Sequence, residues 1–381
     1  MAGAKKGDFR ELISPFLKEQ IGIVERTYGQ GSEPLNALLR QYIQSPAENF
    51  VSPEENLRHY QAELTLNFEG LPVLGVERLY KKTILIEPTT VCAAHCRWCL
   101  RGQYPIRTMT EDDITHATRY IGSSSVRDEI NEVLITGGDP LMSLPLLGFT
   151  LGEIARNAPN ITIVRIGSRV PFQDPRRIGD ELIEMFGRHS DFRYEIGVNV
   201  CHPVEFWPAT IDAIKRLRDA GIVIYNQNPL LKGVNDSFQV LADLYGKLRE
   251  ADIEAHYLFH AIPMRGMGHH RTSLAHGLDL VGKLSSSGEF SGRSKPRYAV
   301  LSDIGKIVIY QDTVLDKRVE DNTLLLKSGF RLKDRLKWNP AWQMPSSSFV
   351  DADGYLRTWY RDGTDELIDF NVEQRSFTSK P

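Results

Sequence analysis

From Lys82 onward, short runs of apolar and β-branched residues alternate with longer stretches of helical periodicity. The runs are Thr83–Glu87, Glu132–Thr136, Ile161–Ile166, Tyr194–Val200, Ile222–Asn226 and Ala255–Phe259. Between them, Asp112–Tyr120, Leu147–Ala155, Asp180–Phe186, Pro208–Ala220 and Ser237–Ala251 read as amphipathic helices. Near-continuous apolar strands separated by helices predict a parallel sheet covered by helices. Six such units predict an α/β fold, a partial (β/α)6 TIM-like barrel, with its active site at the C-terminal ends of the strands. Phe9 to Leu79 reads as polar and helical, broken at Ser14-Pro15, Ser45-Pro46 and Ser52-Pro53. After about Gly292 the segments Tyr298–Leu301, Lys306–Tyr310, Ser348–Val350 and Leu356–Tyr360 read as β-structure, with turns at Asp303-Ile-Gly and Asp351-Ala-Asp-Gly. The tail from Phe370 is polar. The expected organisation is an N-terminal helical segment over 1–79, the barrel over 80–291 and a C-terminal β-rich extension over 292–381.

Composition changes this picture little. The 381 residues are 41% hydrophobic and 25% charged, ordinary for a globular protein. A net charge of −3 gives no basic field for nucleic acid, so no nucleic-acid partner is expected. Apolar stretches are short and the N-terminus lacks an apolar h-region, so neither a membrane span nor a signal peptide is expected. Four cysteines, three of them clustered, do not form a disulfide framework, and a reducing cytoplasm is the expected location.

The clustered cysteines carry the chemistry. Cys92-Ala-Ala-His-Cys96-Arg-Trp-Cys99 has the spacing C-x3-C-x2-C and follows directly on the first barrel strand. A cubane iron–sulfur cluster held by protein alone takes four thiolates, and only Cys201 remains, far along the chain. Three ligands leave one iron with an open position, where chemistry happens. The rival reading is a Cys3His zinc site using His95 or His202, although no second Cys/His knuckle is present. A non-catalytic electron carrier is a further alternative. The second strand ends in Thr136-Gly137-Gly138-Asp139-Pro140, where two glycines allow close approach to the backbone.

The cysteine spacing matches the signature of radical S-adenosylmethionine (SAM) enzymes, and a longer set of motifs resembles the lysine 2,3-aminomutase family within them. The set is Cys96-Arg-Trp-Cys99-Leu-Arg101, Thr136-Gly-Gly-Asp-Pro-Leu141, Ile166-Gly-Ser-Arg-Val-Pro171 with Asp174-Pro-Arg-Arg-Ile178, His202-Pro203 with Glu205, Asn226-Gln227, Gly233-Val-Asn-Asp236, and His269 with Arg271-Thr272. It runs from roughly Glu54 to Thr272. The resemblance implies a radical SAM barrel in which Cys92, Cys96 and Cys99 hold a [4Fe–4S] cluster, SAM chelates the open iron, and one electron releases a 5′-deoxyadenosyl radical. It places Gly137, Gly138 and Asp139 along SAM, with Ser168, Arg169, Asn199 and His202 nearby. It makes Arg101 the partner of the substrate α-carboxylate and Asp236 the partner of a distal ammonium; Asp236 also reads as a helix N-cap.

The family's aminomutases carry pyridoxal phosphate (PLP) on a C-terminal lysine, because an imine beside a radical opens a route for nitrogen to migrate. Lys306 matches that lysine, but one glycine precedes it in place of a run, and a solvated turn lysine is the alternative. Thr83 stands where an arginine for the phosphate is expected. The stretch between Gln311 and Asn339 has no recognisable counterpart. The expectation is therefore hydrogen abstraction from an amino-acid-like, carboxylate-bearing small molecule, with a 2,3-aminomutase on lysine as one outcome. A PLP-independent epimerase, dehydrogenase or lyase is the other. The resemblance implies an electron donor such as flavodoxin or ferredoxin and is compatible with a homo-oligomer.

Overall fold

The computed structural model describes residues 9–50, 66–103, 106–290 and 293–366. Two helices come first, α1 (Pro15–Tyr28) and α2 (Glu33–Tyr42), each entered through a serine followed by proline near the first turn. Ser14 Oγ accepts from Leu17 N at 3.0 Å, satisfying an amide at the start of α1. Their apolar faces, including Phe16, Leu17, Ile21, Leu35, Leu38 and Tyr42, pack together and onto Ala94 and Trp207 of the barrel.

The helical expectation fails before Leu79. Three short strands, β1 (Leu66–Phe68), β2 (Leu71–Val73) and β3 (Val76–Glu77), occupy this stretch. The chain turns at Glu69-Gly70 and Gly75, all with positive φ, and those turns break the helix that the polar composition suggested.

The barrel then alternates strand and helix: β4 (Thr83–Thr89), α3 (Glu111–Ile121), β5 (Glu132–Gly137), α4 (Leu144–Asn157), β6 (Ile163–Gly167), the short α5 (Val170–Gln173) with α6 (Asp180–Arg188), β7 (Arg193–Val198), α7 (Pro208–Asp219), β8 (Val223–Leu230), α8 (Phe238–Glu250), β9 (Glu254–His260) and α9 (Leu274–Ser286). All six predicted strands are present, and neighbours from β4 to β9 pair in parallel. One face of each strand, such as Val133 and Ile135 or Val164 and Ile166, is buried in the main apolar core. The alternate residues, Leu134 and Arg165 among them, line the inner cavity.

The sheet continues past residue 291. β10 (Arg297–Ser302) lies parallel to β9 as a seventh strand, and β11 (Gly305–Val308) returns antiparallel to it. The full order is β3-β4-β5-β6-β7-β8-β9-β10-β11, an open sheet with β3 and β11 at its edges. The separate C-terminal sheet begins later, with β12 (Val314–Arg318), β13 (Thr323–Arg331), β14 (Ser348–Val350) and β15 (Tyr355–Arg361) in the order β12-β13-β15-β14. Helix α10 (Leu332–Trp338) follows β13. Its buried Arg335 donates to the carbonyls of Leu79 (3.0 Å) and Ile304 (2.5 Å), which belong to opposite edges of the open sheet. The stretch 311–339, unassigned from sequence, thus bridges the gap of the partial barrel. Among the described residues no helix is long and apolar enough to cross a membrane.

Candidate active site

A cavity of about 380 Å³ occupies the barrel interior, within the range of small-molecule sites. It is bordered by Cys92, Cys96 and Cys99, by Gly137, Gly138 and Asp139, and by Ser168, Arg169 and Asn199. Lys306 also borders it. The structure therefore gathers most of the residues singled out from sequence around one space.

The cysteine loop is held from two sides. Inside, Gly138 N donates to Thr89 O and Asp139 N to Val91 O, both at 2.8 Å, tying the end of β5 to the start of the loop. A Cβ on Gly138 would meet the backbone of Thr90 and Val91 at 2.3 and 2.4 Å, and one on Gly137 (φ +113°) would meet Thr89 O at 2.5 Å. The neighbour these glycines admit is the chain's own cluster loop, while the pair still borders the cavity. Outside, the N-terminal arm grips the same loop. Arg97 makes a fully buried ion pair with Glu48 at 2.5 Å, its amide donates to Gln41 O, and His95 stacks on Phe9 with its Nδ1 2.8 Å from Arg10 O.

Cys92, buried and near Cys99, Asp139 and Cys96, has its thiol pushed up: burial is the largest cause, then those negative neighbours. A cationic cluster at these sulfurs removes that penalty. Among the described residues no three His, Cys, Asp or Glu side chains converge as ligands of one ion. Cys92, Cys96 and Cys99 nevertheless line one cavity. Two buried donors without a hydrogen-bond partner, Arg169 Nε and Trp98 Nε1, belong to residues on the same wall. The residues present fit an iron–sulfur cluster.

The histidines of the zinc alternative are engaged elsewhere. His202 Nε2 lies 2.8 Å from Glu33 Oε1 on α2 and its Nδ1 accepts from Val204 N, so it does not border the cavity. Cys201 is fully buried with Ala37, Leu231, Val234 and Ala261 and is likewise not on the cavity wall.

Asp139 and Ser168 bond to each other. Ser168 Oγ donates to Asp139 at 2.8 Å, and the carboxylate also accepts from the amides of Leu141, Arg169 and Val170. Burial nevertheless pushes Asp139 up to about 6, against these hydrogen bonds. Asp236 is not brought to the cavity: its Oδ1 accepts from Gly233 N at 2.8 Å, and the cap of α8 is Ser237. Arg101 lies in the turn Leu100–Gln103 immediately after Cys99, with its side chain outside the described residues.

Lys306 is not a solvated turn lysine. It sits on β11 opposite Leu301, with its Nζ 3.9 Å from the centroid of Tyr257 and 5.6 Å from that of Tyr80. Burial first, then the charge of Arg165, lowers its amine to about 8. Arg165 itself donates to Glu132 at 2.7 Å and to Tyr225 OH at 2.7 and 2.9 Å. Thr83, in the place of the expected arginine, donates to the same Glu132 at 3.0 Å. The described residues thus fit the aldehyde side of PLP, which needs a neutral amine, and not its phosphate side: the guanidiniums of Arg165 and Arg169 are already bound.

Sequence reasoning missed Gln41, Gln173 and Tyr257, and named Glu205 only as part of a motif. The pairs that give Gln41, Glu205 and Tyr257 their roles cross from one element to another.

The Radical SAM superfamily profile matches residues 86–245. A putative L-lysine 2,3-aminomutase of Aquifex aeolicus is 35% identical over 66% of this chain and 66% of its own length. The L-lysine 2,3-aminomutase of Methanococcus maripaludis is 33% identical over 68% of this chain and 58% of its own. This chain is a lysine 2,3-aminomutase-like member of the radical SAM superfamily. A glutamate 2,3-aminomutase of Clostridioides difficile is also similar, 30% identical over 60% of this chain and 53% of its own length. The matches span from about half to just under two thirds of these relatives. Membership implies a [4Fe–4S] cluster and SAM for this family member.

Proposed function

We propose that the chain is an enzyme that cleaves SAM reductively and removes hydrogen from an amino-acid-like, carboxylate-bearing substrate, as an aminomutase-like isomerase. The observation that carries this reading is the meeting of the three cysteines, Gly137-Gly138 and Lys306 on one cavity. When bound, the cluster and SAM supply a carbon radical able to take hydrogen from an unactivated carbon. Cys92, Cys96 and Cys99 would hold the cluster, and the Gly137-Gly138 backbone borders the space for SAM. Leu85, Leu134, Phe259 and Leu301 make the wall apolar, which keeps water from a reactive intermediate. Arg101 is the carboxylate partner, a role suited to a planar guanidinium. Lys306, with its amine lowered to about 8, is partly free base near neutral pH and so can attack a carbonyl. The electron comes from an external flavodoxin- or ferredoxin-like donor in a cytoplasmic setting.

A PLP-independent reading rests on its own observation: Arg165 and Thr83 both bind Glu132, so the phosphate lacks its expected cation. The substrate radical then leads to epimerisation, dehydrogenation, elimination or bond cleavage.

Anaerobically reconstituted protein with dithionite, SAM and deuterated amino acids tests the proposal, lysine and glutamate first. Deuterium is expected in 5′-deoxyadenosine. A yield no greater than that of Cys92→Ala removes the proposal. An imine band on adding PLP, lost in Lys306→Ala, selects amino migration; iron–sulfur absorbance indifferent to PLP selects the second reading.

A further inference from the structure

We infer that Arg169 and Gln173 are positioning residues for the iron–sulfur centre: their N–H groups bind the Cys96 thiolate and set the potential at which the centre accepts its electron. The inference rests on the cluster reading above. Arg169 Nη1 lies 2.9 Å from Cys96 Sγ, and Gln173 Nε2 lies 3.3 Å from the same sulfur. Donors to a cluster sulfur stabilise the extra negative charge of the reduced state and so raise its potential. Arg169 adds a full positive charge, which strengthens the contact.

The guanidinium is fixed from every side. Its Nη2 donates to Gln41 Oε1 at 2.5 Å and to Glu205 Oε2 at 2.8 Å. Its centre lies 4.9 Å from the Tyr42 ring and 5.2 Å from the Trp98 ring. Glu205 is itself held by the amides of Cys201 (2.9 Å) and His202 (3.0 Å). The side chain is almost completely buried, so it cannot swing to solvent. Its Nε remains a buried donor without a protein partner, where sulfur acceptors are expected. The family resemblance set Arg169 beside SAM; the geometry gives its terminal nitrogens to a cluster ligand and to α2. Gln41 belongs to α2, so the N-terminal helical arm takes part in tuning the centre.

The test is a potentiometric titration of the cluster followed by electron paramagnetic resonance, with iron and sulfide counted per chain. Gln173→Leu, Arg169→Lys and Gln41→Leu are compared with the parent. The expected result is parental iron content, a midpoint shifted to more negative potential in Gln173→Leu and Arg169→Lys, and a fall in kcat with KM for SAM unchanged. An unmoved midpoint in Gln173→Leu overturns the inference. So does a raised KM for SAM in Arg169→Lys with the midpoint in place, which assigns the arginine to SAM instead. If Arg169→Lys loses its iron, Gln173→Leu decides, because it leaves the Glu205 ion pair intact. A parent without iron overturns the cluster reading itself, an outcome the metal count separates from an unmoved midpoint.

Discussion

Lys306 loses its proton more readily than an ordinary lysine because the barrel interior withholds water from it. Its proton affinity is lower in the folded chain, about 8, than the ordinary 10.5. The burial penalty is therefore in force below about pH 8 and is relieved as pH rises through 10.5, so this group favours the folded state more at the alkaline end of that window. The same shift makes its amine reactive early. Reductive labelling of Lys306 by a small aldehyde, read peptide by peptide by mass spectrometry, is expected to reach half its maximum near pH 8. Exposed lysines should respond near their ordinary value of about 10.4. Half-labelling of Lys306 together with the exposed lysines would show that its amine is solvated. The candidate lysine was legible in the sequence, but its setting was not: Tyr80 and Tyr257 are brought to it by the fold.

At the level of elements, the loop after β4 and the turn after β5 form one unit. Gly138 is the point of closest approach, and an added methyl there would press on main chain that cannot move aside. Gly138→Ala is expected to cost about 1–3 kcal/mol and to lower iron uptake on reconstitution. Thermal melts of the apo-protein and iron counts check the two effects; unchanged values would show that the loop has room. The strands and helices of the barrel were readable because both periodicities are strong there, and the cysteines because their spacing is local. The hairpin at Leu66–Val73 was lost behind its polar residues, since a three-residue strand carries almost no period. β13 was passed over because the stretch had no recognisable counterpart, although Leu324 and Leu326 alternate inward. The contact of Arg169 with Gln41 was not legible, because the two are 128 residues apart.

For the whole molecule, the N-terminal arm and the barrel share a core, so they are expected to unfold together. Glu48 and Arg97 join them through an ion pair with no side-chain exposure at either end. Removing one partner strands the other charge, and Glu48→Ala should cost about 3–5 kcal/mol. Denaturant unfolding followed by both tryptophan fluorescence and circular dichroism checks this; a loss below about 1 kcal/mol would mean that water reaches the pair. The other join lies at the far side of the barrel. A sleeve with a lengthwise slit needs a button, and here a single guanidinium on α10 fastens the two lips. The distance between the lips is thereby set by one side chain, and with it the spacing of Leu79 and Gly305 across the chamber they border.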